Sequence, residues 1–131
     1  MGGHPNEALV QRLYDAFNAG DMDTLAQLFT PDIIWSVAGN SQISGDHKGQ
    51  DAVFSLFALC GELTGGNLEV VPETITAKGD DTVVSTHRVL AKRGDKQLNV
   101  TETENITIKD GKIAKAVESV SDQAESDAFW A

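Results

Sequence analysis

The chain has 131 residues, 40% of them hydrophobic and 23% charged, with 20 Asp plus Glu against 10 Lys plus Arg and a formal net charge of −10. This length and balance predict a single folded domain over residues 1–131 with a sizeable core, and exclude a disordered segment. A surface this acidic repels phosphate backbones and anionic lipids, so neither nucleic acid nor a membrane is an expected partner.

His4-Pro5 opens a helix, with proline suited to the first turn, and Val10, Leu13, Tyr14 and Phe17 repeat as an amphipathic stripe. Asn18-Ala19-Gly20 ends it, and Asp21 caps a second helix with the stripe Met22, Leu25, Ala26 and Phe29, stopped by Thr30-Pro31. A short strand containing Trp35 runs from Asp32 to Val37, and AGNSQISGDHKG reads as a loop. A third helix buries Val53, Phe54, Leu56, Phe57 and Cys60, and Gly61 and Gly65-Gly66 close the helical half.

Four strands follow: Leu68 to Lys78, Thr82 to Lys92, Gln97 to Ile108 and Lys112 to Val120. The turns between them fall at Gly79-Asp80-Asp81, Arg93-Gly94-Asp95 and Lys109-Asp110-Gly111, and Pro72 marks an edge or bulge in the first. The tail SDQAESDAFWA ends in Phe129-Trp130, expected to dock on the body. Helices followed by a long meander predict an α+β fold, with the N-terminal helices packed in a strongly curved, mostly antiparallel sheet. Such a cone-shaped α+β barrel can hold a cavity. The lone Cys60 excludes an intramolecular disulfide and a cysteine zinc site. With no apolar signal core, the expected location is cytoplasmic. Met1-Gly2-Gly3 reads in part as a cloning remnant.

One strand breaks its own pattern. In NVTETENITI, extended back to Leu98, one face carries Leu98, Val100, Glu102, Glu104, Ile106 and Ile108, so two acids stand on the face that should enter the core. A buried carboxylate must pair, take up a proton or meet water. Either one or both acids face a cavity, or a bulge between Val100 and Ile106 turns one outward, or this face meets water or a partner. His87 raises a similar choice. It shares a face with Val83, Ser85, Val89 and Ala91, where it is an acid/base residue opposite a glutamate or a satisfied structural histidine; otherwise it points outward while Thr86 and Arg88 point in.

The segments VQRLYDAFNAGDMDTLAQLFTPDIIW, GDHKGQDAV and IKDGKI, with the DAFW tail, resemble the nuclear-transport-factor-2-like superfamily, whose members include ketosteroid isomerase and SnoaL-like polyketide cyclases. The resemblance covers nearly the whole chain and implies the cone fold, a homodimer and no cofactor. Ketosteroid isomerase carries a tyrosine directly after VQR, where this chain has Leu13; Tyr14 is one residue on. Its base aspartate aligns near Ser36, which is not a base, and its buried acid aligns with Glu104. Steroid isomerisation by that mechanism is therefore not expected. An acid in the last strand of SnoaL-like relatives corresponds to Glu118, for which a surface salt bridge is the alternative role.

The expected function is acid/base chemistry, of isomerase, cyclase or hydrolase kind, on a small apolar molecule. Glu104, His87 and Glu118 are the candidate catalytic residues, and Tyr14, Trp35, Phe57 and Glu102 the candidate substrate-binding ones. The different class is a non-catalytic ligand-binding or dimeric interaction module. His4, His47 and His87 are too scattered to predict a metal site, and no phosphate loop or nucleophile elbow is present.

Overall fold

The computed structural model describes residues 4–131; Met1-Gly2-Gly3, and their reading as a cloning remnant, lie outside the described residues. Among the described residues the chain runs α1 (Pro5–Ala19), α2 (Met22–Leu28), β1 (Phe29–Val37), β2 (Gly45–Lys48), α3 (Gln50–Thr64), β3 (Leu68–Ala77), β4 (Thr82–Arg93), β5 (Lys96–Lys109), β6 (Lys112–Val120) and α4 (Gln123–Phe129). The strands form one mixed sheet in the order β2-β1-β6-β5-β4-β3. All neighbours are antiparallel except β1 and β6, which run parallel. The predicted α+β class is the one observed.

The first helix forms as its sequence dictates. His4 Nδ1 accepts the Asn6 N–H at 3.1 Å, and Gly20 closes the helix in the left-handed region at φ 68°. Val10, Leu13 and Tyr14 are buried against the sheet. α1 packs on β3 and β4, whereas α3 reaches β1, β2, β3 and β4. A sheet that touches these helices with both of its ends curls around them, as right-handed twist allows.

Three boundaries differ from those expected. The second helix stops at Leu28, and Phe29, Thr30 and Pro31 already belong to β1. Pro31 is tolerated there because the β1–β6 pairing is interrupted between Phe29 and Ile34, so its missing N–H removes no ladder bond. Met22 stands 38% exposed at the helix start, outside the buried stripe. The segment read as a loop contains β2, paired with Ile34 to Val37. The tail is not merely docked but folds as α4, capped by Asp122, which accepts the Glu125 N–H at 3.0 Å. Phe129 and Trp130 are buried as expected, and Arg93 donates to the carbonyls of Phe129 and Ala131 at 2.9 and 2.8 Å.

Two sequence signals in the meander act as read. Asp110 and Gly111 both take positive φ, 53° and 76°, the requirement of a two-residue hairpin turn whose twist matches its strands. β3 is an edge strand, and its register against β4 slips between Pro72 and Thr74.

Candidate active site

The two acids of β5 face inward together. The β4–β5 ladder runs without a slip from Thr82–Thr107 to Arg93–Lys96, so side chains alternate strictly and no bulge turns either glutamate out. The break in β5 comes only beyond Thr107, on its β6 side. Glu104 is 2% exposed, and Leu98, Val100, Ile106 and Ile108 are buried on the same face. On β4 the inward face is Val83, Ser85, His87, Val89 and Ala91. Thr86 and Arg88 point the other way, with Arg88 donating to Asn99 at the surface at 2.7 Å.

His87 is held at both ring nitrogens. Nε2 lies 2.7 Å from Glu102 Oε1, directly across the ladder, and Nδ1 lies 2.8 Å from the Tyr14 hydroxyl. That hydroxyl also lies 2.7 Å from Ser85 Oγ, completing a chain from Ser85 through Tyr14 and His87 to Glu102. Tyr14 reaches this point from α1, its ring edge-on to the imidazole at 5.3 Å between centroids.

A second acidic pair lies beside the first. Glu104 stands opposite Glu118 in the β5–β6 register, and Glu118 Oε2 accepts the Trp35 indole N–H at 2.7 Å. Glu118 makes no salt bridge among the described residues, so its surface role is not realised. Glu104 Oε1 is buried without a hydrogen-bond partner among the described residues.

Burial sets the proton affinities. It pushes Glu102 up to about 7. Burial and the charge of Glu102 raise Glu118 to about 7, against hydrogen bonds from Glu104 and Trp35. Glu104 lies well above the ordinary carboxyl range, through burial, then the charges of Glu118 and Glu102, then a hydrogen bond that favours its protonated form. Two facing carboxyls that cannot both ionise share a proton, and here Glu104 keeps it. Burial lowers His87, against the pull of the Glu118 and Glu73 charges, so its ring is neutral near pH 7. Burial also raises the Tyr14 phenol and pushes the Cys60 thiol up to about 12, keeping both protonated.

All seven residues singled out in the sequence border one cavity that opens to solvent. Glu102, Glu104, Glu118, His87 and Tyr14 make its polar end, and Trp35 and Phe57, edge to face at 5.2 Å, line its apolar wall. A smaller recess beneath α4 shares Glu102 and Glu118, giving those carboxyls a second, more polar side. His47 does not border the main cavity; its Nε2–H donates to the Ile43 carbonyl at 2.9 Å. Sequence reasoning did not assign Ser85, Cys60 or Trp130 to the site. Ser85 shares the alternation of His87 and was legible in principle, whereas nothing local says that the penultimate residue returns to the cavity.

The arrangement can take up one proton without charging the imidazole. With Glu102 ionised, Tyr14 donates to Nδ1 and Nε2–H donates to Glu102. With Glu102 protonated, it donates to Nε2, Nδ1–H donates to Tyr14 and Tyr14 donates to Ser85. The two states differ by one proton and a change of histidine tautomer. His87, Glu102 and Glu104 also present possible metal-ligand atoms within 4.8 Å of one another, a juxtaposition invisible in the histidine spacing. A cation there would have to displace the His87–Glu102 hydrogen bond.

A family model described as a SnoaL-like domain matches residues 10–116. The chain belongs to the SnoaL-like domain family. The structure of Bal32a, from a soil-derived mobile gene cassette, is similar at 38% identity and a TM-score of 0.95, covering 97% of each chain. The uncharacterized protein Rv0034 of Mycobacterium tuberculosis is 31% identical over 123 residues, 94% of each chain. An NTF2-like protein from Burkholderia xenovorans LB400 shares the fold at 20% identity and a TM-score of 0.83, over 100% of this chain and 99% of that one. The resemblance to the nuclear-transport-factor-2-like superfamily is thus one of fold as well as of motif.

Proposed function

We propose that this SnoaL-like protein is a cofactor-independent acid/base enzyme of isomerase or cyclase type, acting on a small, largely apolar molecule in its cavity. The observation that carries the reading is the imidazole of His87, fixed between Tyr14 and Glu102 at the polar end of an apolar cavity. A base works best with a proton affinity near the working pH, and Glu102 at about 7 meets that condition. Glu102 takes a proton from a substrate carbon, His87 changes tautomer, and the proton returns to a different atom, so substrate and product are isomers. Glu104 and Glu118 hold a second proton between them at the polar end of the cavity, beside the reacting molecule. Trp35 and Phe57 orient its apolar body. No metal or coenzyme enters this scheme because the network supplies both proton acceptor and donor.

A non-catalytic ligand-binding module is the second reading, favoured by the fact that both nitrogens of His87 are already satisfied, as in a structural histidine. A ligand-stabilisation screen over steroid, epoxide, lactone and polyketide-like compounds separates the two. Hits that the chain converts, and that Glu102→Gln binds without converting, support the enzyme. Hits that neither converts support the module. The reading is of a cytoplasmic homodimer, to which Val117 and Val71, 39% and 37% exposed, offer outward apolar surface.

A further inference from the structure

The charge of the cavity names a class of ligand for the site proposed above, and the inference rests on that reading. Glu102 and Glu104 from β5 and Glu118 from β6 face one apolar chamber, and among the described residues no lysine or arginine borders it. When Glu104 and Glu118 share one proton, the pair still carries one negative charge. A buried charge of this kind needs a counter-charge or donors. Trp35 donates one hydrogen bond to Glu118, but Glu104 Oε1 has no partner among the described residues. The rest of the wall is aromatic and aliphatic, and aromatic faces attract cations.

We infer that the cavity takes a small organic cation, a protonated amine whose ammonium group lies among Glu102, Glu104 and Glu118 and whose apolar body packs on Trp35 and Phe57. A metal ion would satisfy the carboxylates but gain nothing from the apolar wall, which an organic cation covers. Benzoate or another anion would add like charge. An ammonium donates three hydrogen bonds, one for each of the three carboxyls that line the chamber.

The test is isothermal titration of the intact chain with benzylamine, benzyl alcohol and benzoate, three probes of similar shape and different charge, and separately with zinc chloride. At about pH 8 benzylamine is expected to bind at least about tenfold tighter than benzyl alcohol, as a charge-assisted hydrogen bond implies. Glu118→Gln, which removes the charge the pair retains, should weaken benzylamine relative to benzyl alcohol by about fivefold or more, whereas Glu104→Gln, whose amide replaces the carboxyl that already holds the proton, should weaken it less. The ionisable groups facing the site are Tyr14 from α1, Cys60 from α3, His87 from β4, Glu102 and Glu104 from β5 and Glu118 from β6. Of these, the carboxyls take up protons on acidification, so the amine's advantage should shrink towards about pH 5. Benzyl alcohol or benzoate binding as tightly as benzylamine overturns the inference and leaves the ligand cavity standing. Stoichiometric zinc binding that excludes benzylamine overturns it in favour of a metal at His87, Glu102 and Glu104. If none of the three organic probes binds, the inference fails together with the cavity reading. The comparison of probes on the unaltered chain stands even where a variant fails to fold.

Discussion

His87 Nε2 and Glu102 Oε1 meet at 2.7 Å because the β4–β5 register sets the two residues directly opposite on the inward face. Cross-strand neighbours on one face of a sheet are the pairs that interact most directly, so this contact is fixed by backbone pairing rather than by flexible loops. The same register sets Glu104 opposite Ser85, which is too short to approach a charge or share a proton as an imidazole does. Glu102, read from sequence as a binding residue, is therefore the natural proton partner of His87, and Glu104 instead turns to Glu118.

Glu102→Gln preserves shape and a hydrogen bond to His87 but cannot accept a proton. For a substrate found by screening, turnover should fall by about 10²- to 10⁴-fold while the dissociation constant rises by no more than about tenfold, the part owed to the lost charge. Stopped-flow turnover and calorimetric binding measure the two separately. A raised dissociation constant with unchanged turnover would return Glu102 to a binding role.

The raised carboxyls make stability depend on pH in an unusual direction. Glu102 and Glu118 titrate at about 7, and Glu104 well above the ordinary 4.5. From pH 4.5 upward the folded chain thus holds protons that the unfolded chain has released, and unfolding free energy from these groups falls as pH rises through 7. His87 runs the other way: its folded value is depressed below 6.5, so its contribution grows as pH climbs to that point. Three carboxyls outweigh one imidazole, and the net slope from these groups is downward. Glu104→Gln removes one of these contributors, and its amide can donate to Glu118 in place of the shared proton. The variant should be more stable than the parent at about pH 8 and close to it at about pH 5. Chemical denaturation of both proteins at the two pH values measures this; parallel profiles would show that Glu104 ionises normally.

Tyr14→Phe tests the other side of the imidazole. It deletes the hydroxyl that bridges Ser85 and His87 and strands two buried groups, at a cost of about 1–3 kcal/mol. Losing the Nδ1 partner should also shift the tautomer population of His87, which nitrogen NMR of the imidazole reads directly. An unchanged tautomer would mean that Glu102 alone orients the ring and that Tyr14 is a wall residue.

The sequence made the two β5 acids conspicuous because alternation along a single strand is a local property. It left open whether they faced inward, since only the unbroken β4–β5 ladder decides that. His87 was ambiguous for the same reason: both faces of β4 are mixed in composition, and the neighbours that pull it inward, Tyr14 and Glu102, lie 73 and 15 residues away. The distance in chain also hid α4, whose seven residues are too short to form a stable helix alone and depend on docking. The boundary at Phe29 was missed because its apolar side chain suits the last turn of a helix and the first inward position of a strand equally well. The overall architecture was plain much earlier, in the order of helices and strands and in the two-residue turn at Asp110-Gly111.

The expected homodimer can be tested on the outer face of the sheet. Val117 is the exposed apolar residue in the middle of β6, beside Asn105 of β5 and Ser36 of β1, and it contributes nothing to the cavity. If two chains pack through this face, a twofold arrangement brings the Val117 side chains or their neighbours together, and Val117→Lys places like charges in a desolvated centre. The dimer dissociation constant should rise by at least about tenfold, read by light scattering across a dilution series. Because Val117 is 39% exposed, the fold itself should change by no more than about 0.5 kcal/mol. A parent chain that stays monomeric at every concentration removes the homodimer from the proposal. A dimer indifferent to Val117→Lys keeps the homodimer and moves its interface off this face.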